Sequence, residues 1–267
     1  MRGERLFDGA LLRADLFKPD RKRLFVSFRQ RVGAPGSFEL ARPVRAFTAR
    51  GYAHLHIQSL WNDWFVNAET VALEAAVRAL SGRFRRVVSM GFSMGGYGAL
   101  RFSGALGMSQ VIAVAPQVSI APEVVPFDRR YREEARGFDP ALGDLAAHGA
   151  PGLRGLVLCD PFVANDLAHA RMAQALFPGL RICRLAGGGH PPTRVLRQGG
   201  AFPAMQAELA QGEVRPEAVI ALHREARRVS PSYHVHMGRV AARHGREALA
   251  GRFAARAGEV IPVVDKG

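Results

Sequence analysis

A serine set between two glycines, in Gly91-Phe92-Ser93-Met94-Gly95, is the pattern in this chain that implies chemistry most directly. A serine hydroxyl is a poor nucleophile until a strained turn exposes it beside a base and aims backbone N–H groups at the oxyanion its attack creates. Glycines two positions before and after it leave room for a strand to turn sharply into a helix. The preceding Val87-Val88-Ser89-Met90 reads as a buried strand, and Gly96 and Gly98 let the following helix pack closely on a sheet. A Gly-rich turn whose serine only caps the helix would share the pattern, so the partners decide between the readings.

A nucleophilic serine needs an imidazole to take its proton and a carboxylate to fix the imidazole's tautomer. Among nine histidines, His190 stands out in Ala186-Gly187-Gly188-Gly189-His190-Pro191, directly after an apolar run, where three glycines let the backbone carry a ring over a sheet edge. His54 and His56 alternate on one expected strand, and His234 and His236 share an expected helix. Neither pair has a third ligand at metal spacing, so the sequence implies no metal and no cofactor. Two acids share one loop in Cys159-Asp160-Pro161-Phe162-Val163-Ala164-Asn165-Asp166. Asp160, at the strand end, is the favoured partner of His190; Asp166, at a helix start where an N-cap role is also natural, is the alternative. If Asp160 only ties the loop together, Asp166 must reach the imidazole.

The elements that must position these groups alternate. Residues 6–17 read as an antiparallel hairpin, and residues 23–28, 53–57, 87–92, 110–115, 156–159 and 180–185 as apolar strands. Residues 38–49, 69–80 and 167–177 read as helices. Strands alternating with helices imply crossover connections, a mostly parallel sheet with helices on both faces, and a site at the carboxyl ends of the strands. Residues 116–154 are too long for a turn and read as a small lid over the site. Trp61 and Trp64, after an expected strand, either line an acyl or sugar pocket or pack the lid against the core. The lid's Arg129, Arg130 and Arg132 read as a solvated, internally paired charge run.

With 267 residues and 48% hydrophobic content, the chain can form one large core with a small appendage. We divide it into residues 1–203, carrying the sheet and lid, and a helical appendage at 204–267. The formal charge of +14 comes almost wholly from arginine, since only Lys18, Lys22 and Lys266 are lysines. These cations are scattered and accompany no aromatic-plus-basic module, so nucleic acid is not expected as a partner. No apolar run reaches membrane-spanning length and no leader is evident, which points to a cytoplasmic protein. Cys159 and Cys183 each sit in an apolar strand and read as buried thiols. Residues 231–262 fit one tetratricopeptide-like unit, with Met237-Gly238, Ala241, Gly245, Ala250, Ala257 and Pro262 at its positions. A lone unit must pack on the rest of the chain, on a protein partner or on a second copy.

The order Ser93, Asp160, His190 on alternating strands and helices resembles the α/β-hydrolase superfamily over about residues 5 to 200. The resemblance implies the α/β-hydrolase fold and a serine hydrolase that cleaves an ester or amide of a small or acylated substrate through an acyl-enzyme; an acyltransferase would use the same residues. It also implies two oxyanion donors. By position the first is Met94 N–H, and the second comes from Arg29 or Gln30, where Phe28-Arg29-Gln30 stands in place of the usual His-Gly signature. The longer string Gly91-Phe92-Ser93-Met94-Gly95-Gly96-Tyr97-Gly98-Ala99-Leu100 is similar to bacterial hydrolase-like proteins found with polysaccharide or surface-glycan assembly. From that follows a second reading: a catalytically idle scaffold that recruits partners through its helical tail.

Overall fold

Apolar residues at successive positions give the central strands two buried faces. A computed structural model, which describes residues 3–260, shows where those faces pack. β1 (Glu4–Asp8) and β2 (Leu12–Phe17) form the expected hairpin. They are followed by β3 (Arg23–Phe28), α1 (Arg45–Thr48), β4 (Tyr52–Ser59), α2 (Thr70–Ser81), β5 (Arg86–Phe92), α3 (Met94–Arg101) and β6 (Gln110–Val114). Next come α4 (Leu145–His148), β7 (Arg154–Cys159), α5 (Ala164–Leu176), β8 (Leu180–Arg184) and α6 (Arg194–Gln198). The chain continues through α7 (Phe202–Gln211), α8 (Pro216–Ala226), α9 (Pro231–Arg243) and α10 (Glu247–Glu259).

The eight strands form one sheet in the order β1-β2-β4-β3-β5-β6-β7-β8. β2 runs antiparallel to both its neighbours, and all pairings from β4 through β8 are parallel. Val111, Ala113 and Val157 belong to one core with α2, α3, α5 and residues of the 116–154 segment. Their neighbours Ile112, Val114, Leu156 and Leu158 belong to the other, with α1, α6, α7 and α8. This alternation by twos is what a sheet covered on both faces requires.

The expected helix at 38–49 shrinks to α1, and the reason is local. Pro43 offers no N–H and disfavours helical backbone before it. The backbone of Glu39 is instead paired twice to the Gln58 side chain, and Val44 N–H donates to His54 Nδ1.

Residues 116–154 lie over α3 and contain a 3-10 turn (Glu134–Gly137) and α4. α3 and the turn after it anchor them. Tyr97 Oη donates to Gly143 O at 2.7 Å, Arg101 Nε to Leu142 O at 2.8 Å, and Ser103 Oγ accepts Ala150 N–H at 2.8 Å. Arg101 is fully buried and its charge is met by Glu74 at 3.0 Å.

The segment after 203 divides in two. α7 and α8 place Phe202, Met205, Leu209, Val219 and Ala226 in the second core. α9 and α10 form a helical hairpin in which Gly238 lies against Phe253 and α10 buries no side chain. Pro262, the last position of the repeat-like pattern, lies outside the described residues. Cys159 and Cys183 are free and buried, which pushes their thiols up to about 11 and about 12. Among the described residues no helix is long and apolar enough to cross a membrane.

Candidate active site

β5 ends at Phe92 and α3 begins at Met94, so Ser93 alone makes the turn, at φ 50° and ψ −119°. A non-glycine residue held there costs about 1–3 kcal/mol, which the surroundings must sustain. They do so through backbone bonds: Ser93 N–H donates to Val114 O at 2.9 Å, and Ser93 O accepts from Gly96 and Tyr97. The flanking glycines are sterically required. A Cβ on Gly91 would run into the Gly95 carbonyl, and one on Gly95 would stand 2.6 Å from Phe28 O. Ser93 does not cap α3 with its side chain. Its hydroxyl lies 3.4 Å from Gln117 Oε1.

His190 follows the glycine loop after β8. Its Nδ1 lies 2.7 Å from Asp166 Oδ2, so Nδ1 carries the proton and donates, leaving the Nε2 lone pair free to accept. Ser93, His190, Gln30, Arg31, Phe92, Tyr131 and Pro191 line one cavity of about 250 Å³. A larger concavity of about 860 Å³, beside β1, β2 and the 38–45 segment, contains none of these residues.

The geometry corrects the sequence expectations at Asp160 and at Arg29. Asp160 does not face His190: its carboxylate accepts N–H bonds from Phe162, Gly187 and Gly189 at 2.8–3.0 Å. It ties the glycine loop that carries His190, while Asp166, the alternative, meets the imidazole. Asp166 is fully buried and caps nothing, Val163 being the N-cap of α5. Arg29 cannot supply the second oxyanion donor, because its backbone N–H is spent on Ile57 O at 2.9 Å and its buried guanidinium is held by Ser37 O, Ser59 O and Glu39. Among the described residues, the N–H groups of Gln30 and Met94 have no acceptor.

The two tryptophans do not line the cavity. Trp61 is 49% exposed and lies against Gly36. Trp64 is fully buried behind the site, where Nε1–H donates to Gln117 Oε1 at 3.2 Å and its ring packs 4.8 Å from that of Tyr131 in the lid. Of the two readings left open, packing of lid on core describes Trp64.

The arginines at 129, 130 and 132 are not all solvated. Arg130 turns inward and donates to Asp166 Oδ1 at 2.8 Å and to both Asp128 oxygens at 2.7–3.1 Å. Asp128 also accepts from Asn165 and from His169 Nε2, whose Nδ1 accepts Val118 N–H. Burial would raise the Asp128 carboxyl, but the His169 and Arg130 hydrogen bonds outweigh it and hold the group well below the usual carboxylate range. Arg31, at the cavity rim, binds Glu134 of the lid at 2.7 Å.

Sequence reasoning missed Gln117, Tyr131 and the inward role of Arg130. Gln117 follows the end of β6, so the rule that sites gather at carboxyl strand ends could have flagged it. Nothing local distinguishes Arg130 from Arg129.

No protein-family model and no curated protein matches this chain. Solved structures do. The capsule O-acetyltransferase of Neisseria meningitidis serogroup A is 15% identical over 76% of this chain and 90% of that one, with a TM-score of 0.52. A structure of the same enzyme with CoA is 13% identical over 82% and 91%, with a TM-score of 0.50. A proposed thioesterase from a Silicibacter species is 16% identical over 84% and 85%, with a TM-score of 0.51. Likeness at this level is likeness of fold, and with the strand order and crossovers it makes this chain an α/β-hydrolase fold.

Proposed function

We propose that the chain is a serine hydrolase or acyltransferase that cleaves an ester or activated acyl group through an acyl-enzyme on Ser93. The carrying observation is that one cavity is lined by both Ser93, on its positive-φ turn, and His190, whose Nδ1 is paired with the buried Asp166. His190 Nε2 takes the Ser93 proton as Oγ attacks the carbonyl carbon. The oxyanion is received by the N–H groups of Met94 and Gln30. The imidazolium then protonates the departing alcohol or thiol as the tetrahedral intermediate collapses to the acyl-enzyme. Water, or an acceptor hydroxyl, enters by the reverse sequence and frees the serine.

The cavity bounds the acyl group. At about 250 Å³ it falls below the ~300–1,000 Å³ of ordinary small-molecule pockets, which favours a compact acyl group such as acetyl. The capsule O-acetyltransferase among the structural neighbours is in keeping with that.

The test is turnover of p-nitrophenyl acetate by the wild type and by Ser93→Ala, with and without an acceptor alcohol. Loss of turnover in Ser93→Ala supports the reading, and transfer to the alcohol selects the acyltransferase. Equal turnover by both proteins refutes it and leaves the idle scaffold, with α9 and α10 as its partner-binding surface.

A further inference from the structure

A triad carboxylate has two oxygens, and only one faces the imidazole. In this protein the other is held by a side chain from the lid. Asp166 sits at the start of α5, fully buried, with Oδ2 on His190 Nδ1 at 2.7 Å and Oδ1 on Arg130 Nη1 at 2.8 Å. Among the described residues these two are its only side-chain donors. Arg130 is in turn fixed by Asp128, which His169 and Asn165 hold from α5.

We propose that Arg130 is a positioning residue for the catalytic pair: its guanidinium, clamped between Asp128 and Asp166, sets the rotation of the Asp166 carboxylate and places a positive charge behind it. The inference rests on the triad reading above. It has two consequences. Packing of the lid completes the active site, because the acid is oriented only when residues 128–130 are seated on α5. The charge also weakens the pull of Asp166 on the His190 Nδ1 proton. The other titratable and charged groups around this cluster are Tyr131, whose hydroxyl burial pushes up, the Cys159 thiol, which stays protonated, Arg31 with its partner Glu134 on the cavity lining, and Asp160 with His236 at the glycine loop; among the described residues none of these side chains bonds to Asp166.

The experiment is an NMR titration of protein labelled with 15N-histidine, with His190 assigned by its loss in His190→Gln. Removing a unit charge one hydrogen-bonded neighbour from an imidazole with partial solvent access moves its pKa by about 0.5 to 1 pH unit. Arg130→Gln is therefore expected to raise the His190 pKa by that amount, and to lower kcat on p-nitrophenyl acetate about 10- to 100-fold with KM little changed. Arg130→Met, which keeps the packed aliphatic stem, should do the same. Arg130→Lys keeps the charge and should leave the titration near that of the wild type. An arginine serving only as a strut for the lid would lower the melting temperature in all three variants and leave the His190 titration where it was, overturning the proposal. If the wild type lacks Ser93-dependent turnover, the triad reading fails on that ground, while the titration still decides the role of Arg130.

Discussion

Replacing Asp166 by asparagine changes one atom, and the structure dictates how the new amide must sit. Arg130 Nη1 and His190 Nδ1 both donate to the carboxylate today, at 2.8 and 2.7 Å. A guanidinium can only donate, so the oxygen of the introduced amide must stay on Arg130 and its NH₂ must face His190. Nδ1 then has to accept, which moves the imidazole proton to Nε2, the atom that should take the Ser93 proton. The wrong tautomer in a Ser-His-Asp triad costs roughly 10⁴ in kcat, or about 5.5 kcal/mol of transition-state stabilisation. Asp160→Asn offers the contrast. Asp160 receives three backbone N–H groups, and an amide there leaves a donor facing a donor, for about 1–3 kcal/mol of stability. The His190 tautomer is untouched. Under conditions where each variant is folded by circular dichroism, kcat for p-nitrophenyl acetate should fall about 10⁴-fold in Asp166→Asn and less than about 100-fold in Asp160→Asn, while the melting temperature falls mainly in Asp160→Asn. An Asp166→Asn enzyme within tenfold of the wild type, or a folded Asp160→Asn enzyme as inactive as Asp166→Asn, would refute this reasoning.

Three further outcomes are expected. Gly95→Ala puts a methyl 2.6 Å from the Phe28 carbonyl, a backbone atom that cannot swing away, and should cost about 1–3 kcal/mol in urea unfolding together with most of the activity. The compact cavity predicts that kcat/KM falls steadily from p-nitrophenyl acetate to the octanoate ester; a preference for octanoate would remove the short-acyl assignment. His54 is buried neutral, its pKa pushed down to about 3 by burial and by His56, with Nε2 2.7 Å from Ser27 Oγ. Its folded pKa lies below the unfolded value of 6.5. The unfolded chain therefore takes up a proton first, and stability falls as pH drops from about 6.5 toward 3, by up to roughly 1.4 kcal/mol per pH unit for this one group. Unfolding free energies at pH 6.5 and 5.0 should differ less in His54→Gln than in the wild type, by about 1.6 kcal/mol.

How much of this was legible in the sequence depended on how local each cause was. The strands declared themselves because β5, β6 and β7 carry apolar residues on both faces, and the sharp strand-to-helix turn because Gly91 and Gly95 flank a serine whose turn tolerates no Cβ beside it. His190 was legible through the three glycines before it. Choosing between Asp160 and Asp166 was not, since both lie on one short loop and only the folded path of Gly187–Gly189 shows which one is consumed by backbone N–H groups. Arg29 and Gln30 were likewise indistinguishable until β4 took the Arg29 N–H. The helix expected at 38–49 failed because Gln58 and His54, distant in sequence, capture backbone groups that a helix would need. Arg130 was hidden among like residues, its direction set by Asp128 and α5 together.

Whether Ser93 is a covalent nucleophile is read by intact-mass spectrometry after reaction with a fluorophosphonate, which phosphonylates an activated serine. A single adduct is expected on the wild type, mapped to Ser93 by peptide sequencing, absent from Ser93→Ala and formed far more slowly by His190→Gln. A wild type that stays unmodified, or a Ser93→Ala protein that reacts equally, would contradict a nucleophilic Ser93.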